Sequence, residues 1–386
     1  MFADPTVTGV SYSPTQISAL FVVWSVTAFV AELPTGVVAD RFSRRRLIVA
    51  SPIVTAAGFA LWTWWPSLPA YAAGFVLWGV GGALRSGSAQ ALVYDELAAC
   101  GQAGRYPVIA GRIRAAESVG VLGGTVAAAP LLSWGGYAAA GAASVAACVV
   151  SATAAAFLPE SHCRTVGDDS VGAVTAEGGW RQVVRDGGRV VRSDAAVRWL
   201  VGLVVALTWV AALDEYLPLL AESILTQSNR SSGSVVPEVA ALMLIVDVGV
   251  VAGGLAARWR PGTRMFGGVL GGGALALAAA AVWERPAAML LVAMAFGVFT
   301  WAHVVTEAAL QDRLSPRSRA TVGSIVGVGE EVVAVGAFGA WALGSRWCDP
   351  AALFAVAAGP YVVVAAFLIV GGRVSRPVRR PGERSL

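Results

Sequence analysis

The chain has 386 residues, of which 56% are hydrophobic and 13% charged. A soluble domain carries about 25% charged residues, so this chain has too little polar surface to cover itself in water and must be solvated largely by lipid. Its net charge of +4 comes from arginine alone, with no lysine, and the arginines fall between apolar runs instead of forming one basic patch, which excludes a nucleic-acid-binding surface.

A helix needs ~20 mainly apolar residues to cross a bilayer. Eleven such spans are predicted, at about 14–39, 46–66, 68–97, 105–131, 137–158, 196–222, 236–257, 263–284, 286–310, 320–344 and 350–373. These are continuous apolar runs without a two-residue alternation, so membrane strands are not expected. The first span carries Glu32 and Pro34, and proline loosens a helix by removing a backbone donor. It leaves through Gly36-Val-Val-Ala-Asp40-Arg41 and then Ser43, Arg44, Arg45 and Arg46. The third span contains Trp78, Arg85 and Tyr94 and ends at Asp95. Arg85 lies ten residues before Asp95, which at the helical rise is roughly 15 Å into the membrane. In the fourth, Glu117 lies twelve residues past Arg105, roughly 18 Å deep, so Arg85 and Glu117 share a depth and are expected to be neighbours.

Residues 159–195 form a linker between spans, with the polar run Gly167-Asp168-Asp169-Ser170 and a possible interfacial helix around Trp180 to Arg185. The sixth span carries Trp209, with Asp214, Glu215 and Tyr216 near its outer end, where the acids either line a vestibule or are exposed at the interface. Asp247 of the seventh span lies eleven residues before Arg258, roughly 16 Å deep, and Glu330 and Glu331 of the tenth are at roughly 15 Å. Adjacent helical residues diverge by about 100°, so one of the two glutamates faces inward. The ninth span holds Trp301 and His303; the histidine either titrates near neutral pH or is a packing residue. Trp78, Tyr94, Trp209, Glu215, Tyr216 and Trp301 are candidates for a substrate cavity, although most tryptophans of such a chain belong to the interfacial belt. Cys100, Cys148, Cys163 and Cys348 form no CxxC pair and His162 and His303 stand apart, so no metal, disulfide framework or other cofactor is expected.

The loops alternate in charge. One side carries 24 arginines and the other only Arg230, Arg285 and Arg346, with Arg85 alone inside a span. The positive-inside rule makes the first side cytoplasmic, and with it the linker and the C-terminal tail. An inner (cytoplasmic) bacterial membrane and a multi-pass topology are expected.

The spans also repeat. Gly36 precedes Asp40 by four residues and Gly254 precedes Arg258 by four, an offset of 218. Shifting the later spans back by 218 places 263–284, 286–310, 320–344 and 350–373 on independently predicted spans. The same shift sends 196–222 ahead of Met1. A first half of five spans and a second of six is therefore expected, with one helix of ~20 residues preceding Met1 and Phe2-Ala3-Asp4 as its outer end; a true eleven-helix variant is the alternative. The expected divisions are 1–158, a linker at 159–195, 196–373 and a basic tail at 374–386.

Two helical halves, a cytoplasmic linker, and Gly36, Asp40, Arg41, Arg44, Arg45 and Arg46 between two spans together resemble the major facilitator superfamily, and its bacterial drug and metabolite exporters in particular. The family pattern has glycine where this chain has Ser43. The resemblance implies an all-α integral membrane fold of two pseudo-symmetric bundles, with 11 of an expected 12 transmembrane helices visible. It implies that Asp40 meets the N-terminus of the span starting near Ala320, that the arginines pair with Asp95, and that this cluster latches a cytoplasmic gate; a purely topogenic arginine cluster is the alternative. It also implies proton coupling at Arg85, against the alternative of a static ion pair with Glu117. Glu32, Asp247, Glu330, Glu331 and His303 are further proton-coupling candidates. Gly120, Gly123, Gly124 and Pro130 only faintly match the family's antiporter motif, because Pro130 follows Ala129 and no Gly-Pro pair is present.

The function expected is proton-driven export of a small organic molecule by a monomeric carrier embedded in the lipid bilayer. The alternative is a metabolite importer or facilitator on the same fold. A membrane enzyme or sensor is disfavoured, since no HExxH and no nucleophile motif occurs.

Overall fold

The computed structural model describes residues 12–41, 43–102, 105–160, 194–227, 236–283, 285–314 and 316–371. The expected outer helix end at Phe2 to Asp4, the linker motifs at 167–170 and 180–185, and the basic tail lie outside the described residues.

Thirteen α-helices and one short 3-10 turn at Pro286–Ala288 make up the described chain. They are α1 Pro14–Arg41, α2 Arg44–Trp64, α3 Leu68–Ala99, α4 Tyr106–Ala156, α5 Ala195–Leu207, α6 Trp209–Asp214, α7 Leu217–Gln227, α8 Val236–Ala256, α9 Thr263–Trp283, α10 Met289–Arg313, α11 Pro316–Gly344, α12 Pro350–Ala357 and α13 Gly359–Gly371. Several starts are capped by short polar side chains, which satisfy backbone N–H groups that have no partner inside the helix. Ser43 accepts from the Arg46 N–H, Ser67 from Ala70, Asp194 from Ala196 and Asp349 from Ala352.

Four of the predicted spans do not form separate regular helices. The 196–222 run is broken twice. Thr208 turns its hydroxyl back onto the Val204 carbonyl at 3.1 Å, a local bond that competes with regular helix. Pro218 has no N–H to offer the carbonyl of Asp214, and α6 ends at Asp214. In the 350–373 run Pro360 likewise has no N–H to offer the Val356 carbonyl, and the chain breaks at Ala358. The 105–131 and 137–158 runs instead form one element, α4, kinked at Gly135 and Gly136. Gly136 has φ 60° and ψ −154°, a conformation essentially restricted to glycine.

Nine helical segments among the described residues are long and apolar enough to cross a membrane. The expected eleven differ at two places: 119–156 counts once, and α3 falls short because Arg85 and a series of glycines dilute its apolar stretch. Large apolar side chains face outward throughout; Trp134 and Val370, each at 85% exposure, are the extremes. Such a surface suits hydrocarbon and not water.

The chain divides into two compact units, residues 1–181 with 233–241 and 334–347, and residues 182–232 with 242–333 and 348–386. In the first, α2 packs on α3 and α4, and α3 on α1. Its core is aromatic: Trp24 stacks on Trp78 at 4.5 Å, with Phe59, Trp62 and Phe75 around them. In the second, α9 packs on α10, α12 and α13, and α10 on α5. Phe299 stacks on Tyr361 at 3.8 Å, and the Tyr361 hydroxyl donates to the Leu207 carbonyl, beside the break at Thr208. Helices in lipid gain no hydrophobic driving force from association and rely on close packing of small residues. Gly249 and Gly253 of α8 supply it, resting on the backbone of Ala293 and Gly297 in α10.

Candidate functional site

Three polar clusters interrupt this apolar framework. The first lies at the N-terminal end of α2. Arg44 forms an ion pair with Asp95 at the end of α3, bringing together two residues 51 apart in sequence. Beside it Ser43, already capping α2, donates its hydroxyl to Glu160 at 2.5 Å. The Arg45 N–H donates to the other oxygen of Glu160 at 3.4 Å, and the Arg45 guanidinium to the Leu158 carbonyl at 3.4 Å. Burial pushes the Glu160 carboxyl up, but the Ser43 hydroxyl, the Arg45 and Arg44 backbone N–H groups and the Arg45 charge outweigh it and hold the carboxyl below the usual range. Arg46 is exposed. Gly36, Asp40 and Arg41 are in the last turns of α1, and their side chains lie outside the described residues. In the second unit Arg260, just before α9, pairs with Asp312 near the end of α10 at 2.9 Å. The same shift of 218 that relates α2 to α9 carries this pair onto the neighbourhood of Arg44 and Asp95.

The second cluster is deeper in the first unit. Arg85 of α3 and Glu117 of α4 approach to 3.6 Å, their side chains 61% and 56% exposed. One residue on, the Ser86 hydroxyl donates to Glu32 of α1 at 3.2 Å. The structure thus brings Arg85 and Glu117 together, as the shared depth predicts, and adds Glu32 through Ser86.

The third cluster lines a pocket of about 250 Å³ within the second unit. Its walls are Val204 of α5, His303, Glu307 and Gln311 of α10, and Gly327 and Glu330 of α11. His303, Glu307 and Gln311 recur every fourth residue and so share one face of α10. Glu330 Oε1 lies 3.1 Å from the Thr208 hydroxyl, whose single proton is shared between this carboxylate and the Val204 carbonyl. His303 Nδ1 is buried and has no hydrogen-bond partner among the described residues.

The remaining candidates are dispersed. Glu331 follows Glu330 on α11 and is half-buried. Asp247 is on α8, close enough to Asp214 for their charges to interact, as are those of Asp214 and Glu215. Tyr216 is buried in the core. The Trp209 indole N–H is buried without a partner among the described residues. Trp78 belongs to the aromatic core already described. Trp301 stacks on Trp259 at 5.3 Å and donates its indole N–H to the Trp259 carbonyl, fastening the end of α8. Tyr94 is half-exposed and meets Tyr106 edge-on across the α3–α4 turn. Neither Trp78 nor Trp301 lines the pocket.

Sequence reasoning missed Glu160, Ser86, Thr208, Glu307 and Gln311. The four-residue spacing from His303 signals the last two. Nothing local links Ser43 to Glu160, 117 residues away.

The family model described as Major Facilitator Superfamily matches residues 3–340. No curated protein matches the chain in sequence. Among solved structures, a variant of the nucleoside transporter NupG superposes with a TM-score of 0.70 at 13% identity, covering 93% of this chain and 91% of its own. A second NupG structure gives 0.68 at 13%, covering 93% and 90%. A bacterial homologue of the human lysosomal transporter Spinster, in an inward-facing and unoccupied conformation, gives 0.62 at 15%, covering 96% and 90%. At these identities the likeness is one of fold.

Proposed function

The chain belongs to the major facilitator superfamily, and we propose that it is a secondary active transporter exporting a small organic compound in exchange for protons by alternating access. The Arg85–Glu117 pair carries this reading. A charge facing hydrocarbon at mid-membrane costs at least ~2.5 kcal/mol, yet both side chains are more than half exposed. A water-filled crevice at that depth accounts for the exposure and lets a proton reach Glu117. Protonation of Glu117 removes the charge that holds Arg85, and Arg85 is then free to move as the carrier changes state. Glu32, tied to Ser86 beside Arg85, senses the same movement.

In this reading five spans precede the linker and six follow it. The recurrence of packing supports two related halves: α2 on α3 and α4, and α9 on α10, α12 and α13. The arginine-rich ends, with the Arg44–Asp95 pair, face the cytoplasm of a bacterial cell, and opening the carrier inward requires that pair to separate. The carrier is a monomer with no cofactor.

Proteoliposomes containing the full chain, loaded with candidate compounds and given an imposed pH gradient, test the reading. Gradient-driven substrate movement with counter-flow of protons is expected, abolished by a protonophore. Flux insensitive to the gradient, or uptake where export is expected, overturns proton-coupled export in favour of a facilitator or importer.

A further inference from the structure

The polar pocket of the second unit carries an excess of negative charge among the described residues. Two carboxylates, Glu307 and Glu330, line it, and among the described residues no arginine does. Both helices that carry them are long apolar segments, where an uncompensated carboxylate is costly. Thr208 offers Glu330 a hydroxyl proton shared with the Val204 carbonyl, and no charge. His303 Nδ1 is buried without a partner among the described residues. The floor is open as well: a side chain added at Gly323 or Gly327 of α11 would meet no heavy atom within 4 Å. At about 250 Å³ the space is just below the ~300–1,000 Å³ that holds a drug-sized molecule, which fits a compact headgroup.

We propose that this pocket binds the ammonium headgroup of a small organic cation, which makes such cations the substrate class of the carrier. Glu307 and Glu330 share the positive charge, His303 and Gln311 complete the hydrogen bonding, and the bare face of α11 at Gly323 and Gly327 leaves room for the substituent. The proposal deepens the transport reading and rests on it for turnover; binding is measurable without it.

The test uses the full chain in lipid nanodiscs and three probes of similar shape: phenethylammonium, phenethyl alcohol and phenylacetate. Saturable binding of the ammonium alone is expected, by ligand-observed NMR. Glu307→Gln and Glu330→Gln should each weaken it by about tenfold or more. Gly327→Leu, which fills the pocket and leaves both carboxylates in place, should abolish it, and the control Glu238→Gln on α8 should bind as the parent does. Melting temperatures near the parental value show that each variant is folded. Equal binding of the alcohol, or undiminished ammonium binding in Gly327→Leu or in the double glutamine variant, overturns the proposal. If the ammonium fails to bind while proteoliposomes move another compound, this inference falls and the transport reading stands. If it binds as described and no compound is moved, the site stands and the transport reading falls.

Discussion

Gly253→Ala tests the close packing of α8 on α10 with a single methyl group. A Cβ at Gly253 would lie 2.0 Å from the Gly297 carbonyl oxygen and 2.7 Å from its carbon, where ordinary contact begins at 3.4 Å. The obstacle is backbone, not the mobile end of a side chain, so the helices must separate by about 1.4 Å (3.4 less 2.0) to admit the methyl. Overpacking of this kind costs ~1–3 kcal/mol, and no hydrophobic gain between helices offsets it in lipid. The neighbouring Gly254 is the internal control: a Cβ there meets nothing within 4 Å, and alanine improves helix propensity by up to ~1 kcal/mol. Unfolding of the purified chain in mixed micelles by titration with dodecyl sulfate should show Gly253→Ala unfolding at lower detergent fraction than the parent, with Gly254→Ala equal to it or more resistant. Equal midpoints for the two variants would refute the packing argument for α8 and α10.

Glu160→Gln should destabilise the chain at neutral pH. The Glu160 carboxyl is held below its ordinary value in the folded state, so its contribution is fully present above the unfolded pKa and is lost as pH falls through the folded one. Thermal melts across pH should therefore show the variant's deficit at pH 7 closing on acidification below the usual carboxylate range; a constant deficit refutes it. Gly136→Ala places a side chain in a conformation only glycine adopts readily, and a loss of ~1–3 kcal/mol is expected in the same micelle titration; no change would mean that α4 is not kinked there. For Arg85 and Glu117, the double variant Arg85→Gln/Glu117→Gln should be less destabilised than the sum of the two single variants, because each single change leaves a charge without its partner. Strict additivity in a double-mutant cycle would show that the 3.6 Å approach carries no coupling.

The membrane class of this chain was legible because it rests on local quantities. Apolar runs of bilayer length separated by arginine clusters need no tertiary contact to be read, and the repeat offset follows from spacing alone. The nearness of Arg85 and Glu117 was also accessible, since helical rise converts sequence distance into depth. Some breaks were written locally too: Pro218 and Pro360 each remove a backbone donor, and the Gly135-Gly136 step permits a kink. Depth along a helix, however, says nothing of azimuth or of which helices adjoin. The ring contacts of Trp78 and Trp301, two of the cavity candidates, therefore do not follow from depth, and neither does the approach of Thr208 to Glu330. Only the folded chain brings Ser43 to Glu160, Thr208 to Glu330, and the His303 face of α10 opposite the bare glycine face of α11. Composition and periodicity determine that each segment is a helix in lipid; the mutual rotation of those helices, which depends on side-chain packing summed over distant segments, decides where the polar groups meet.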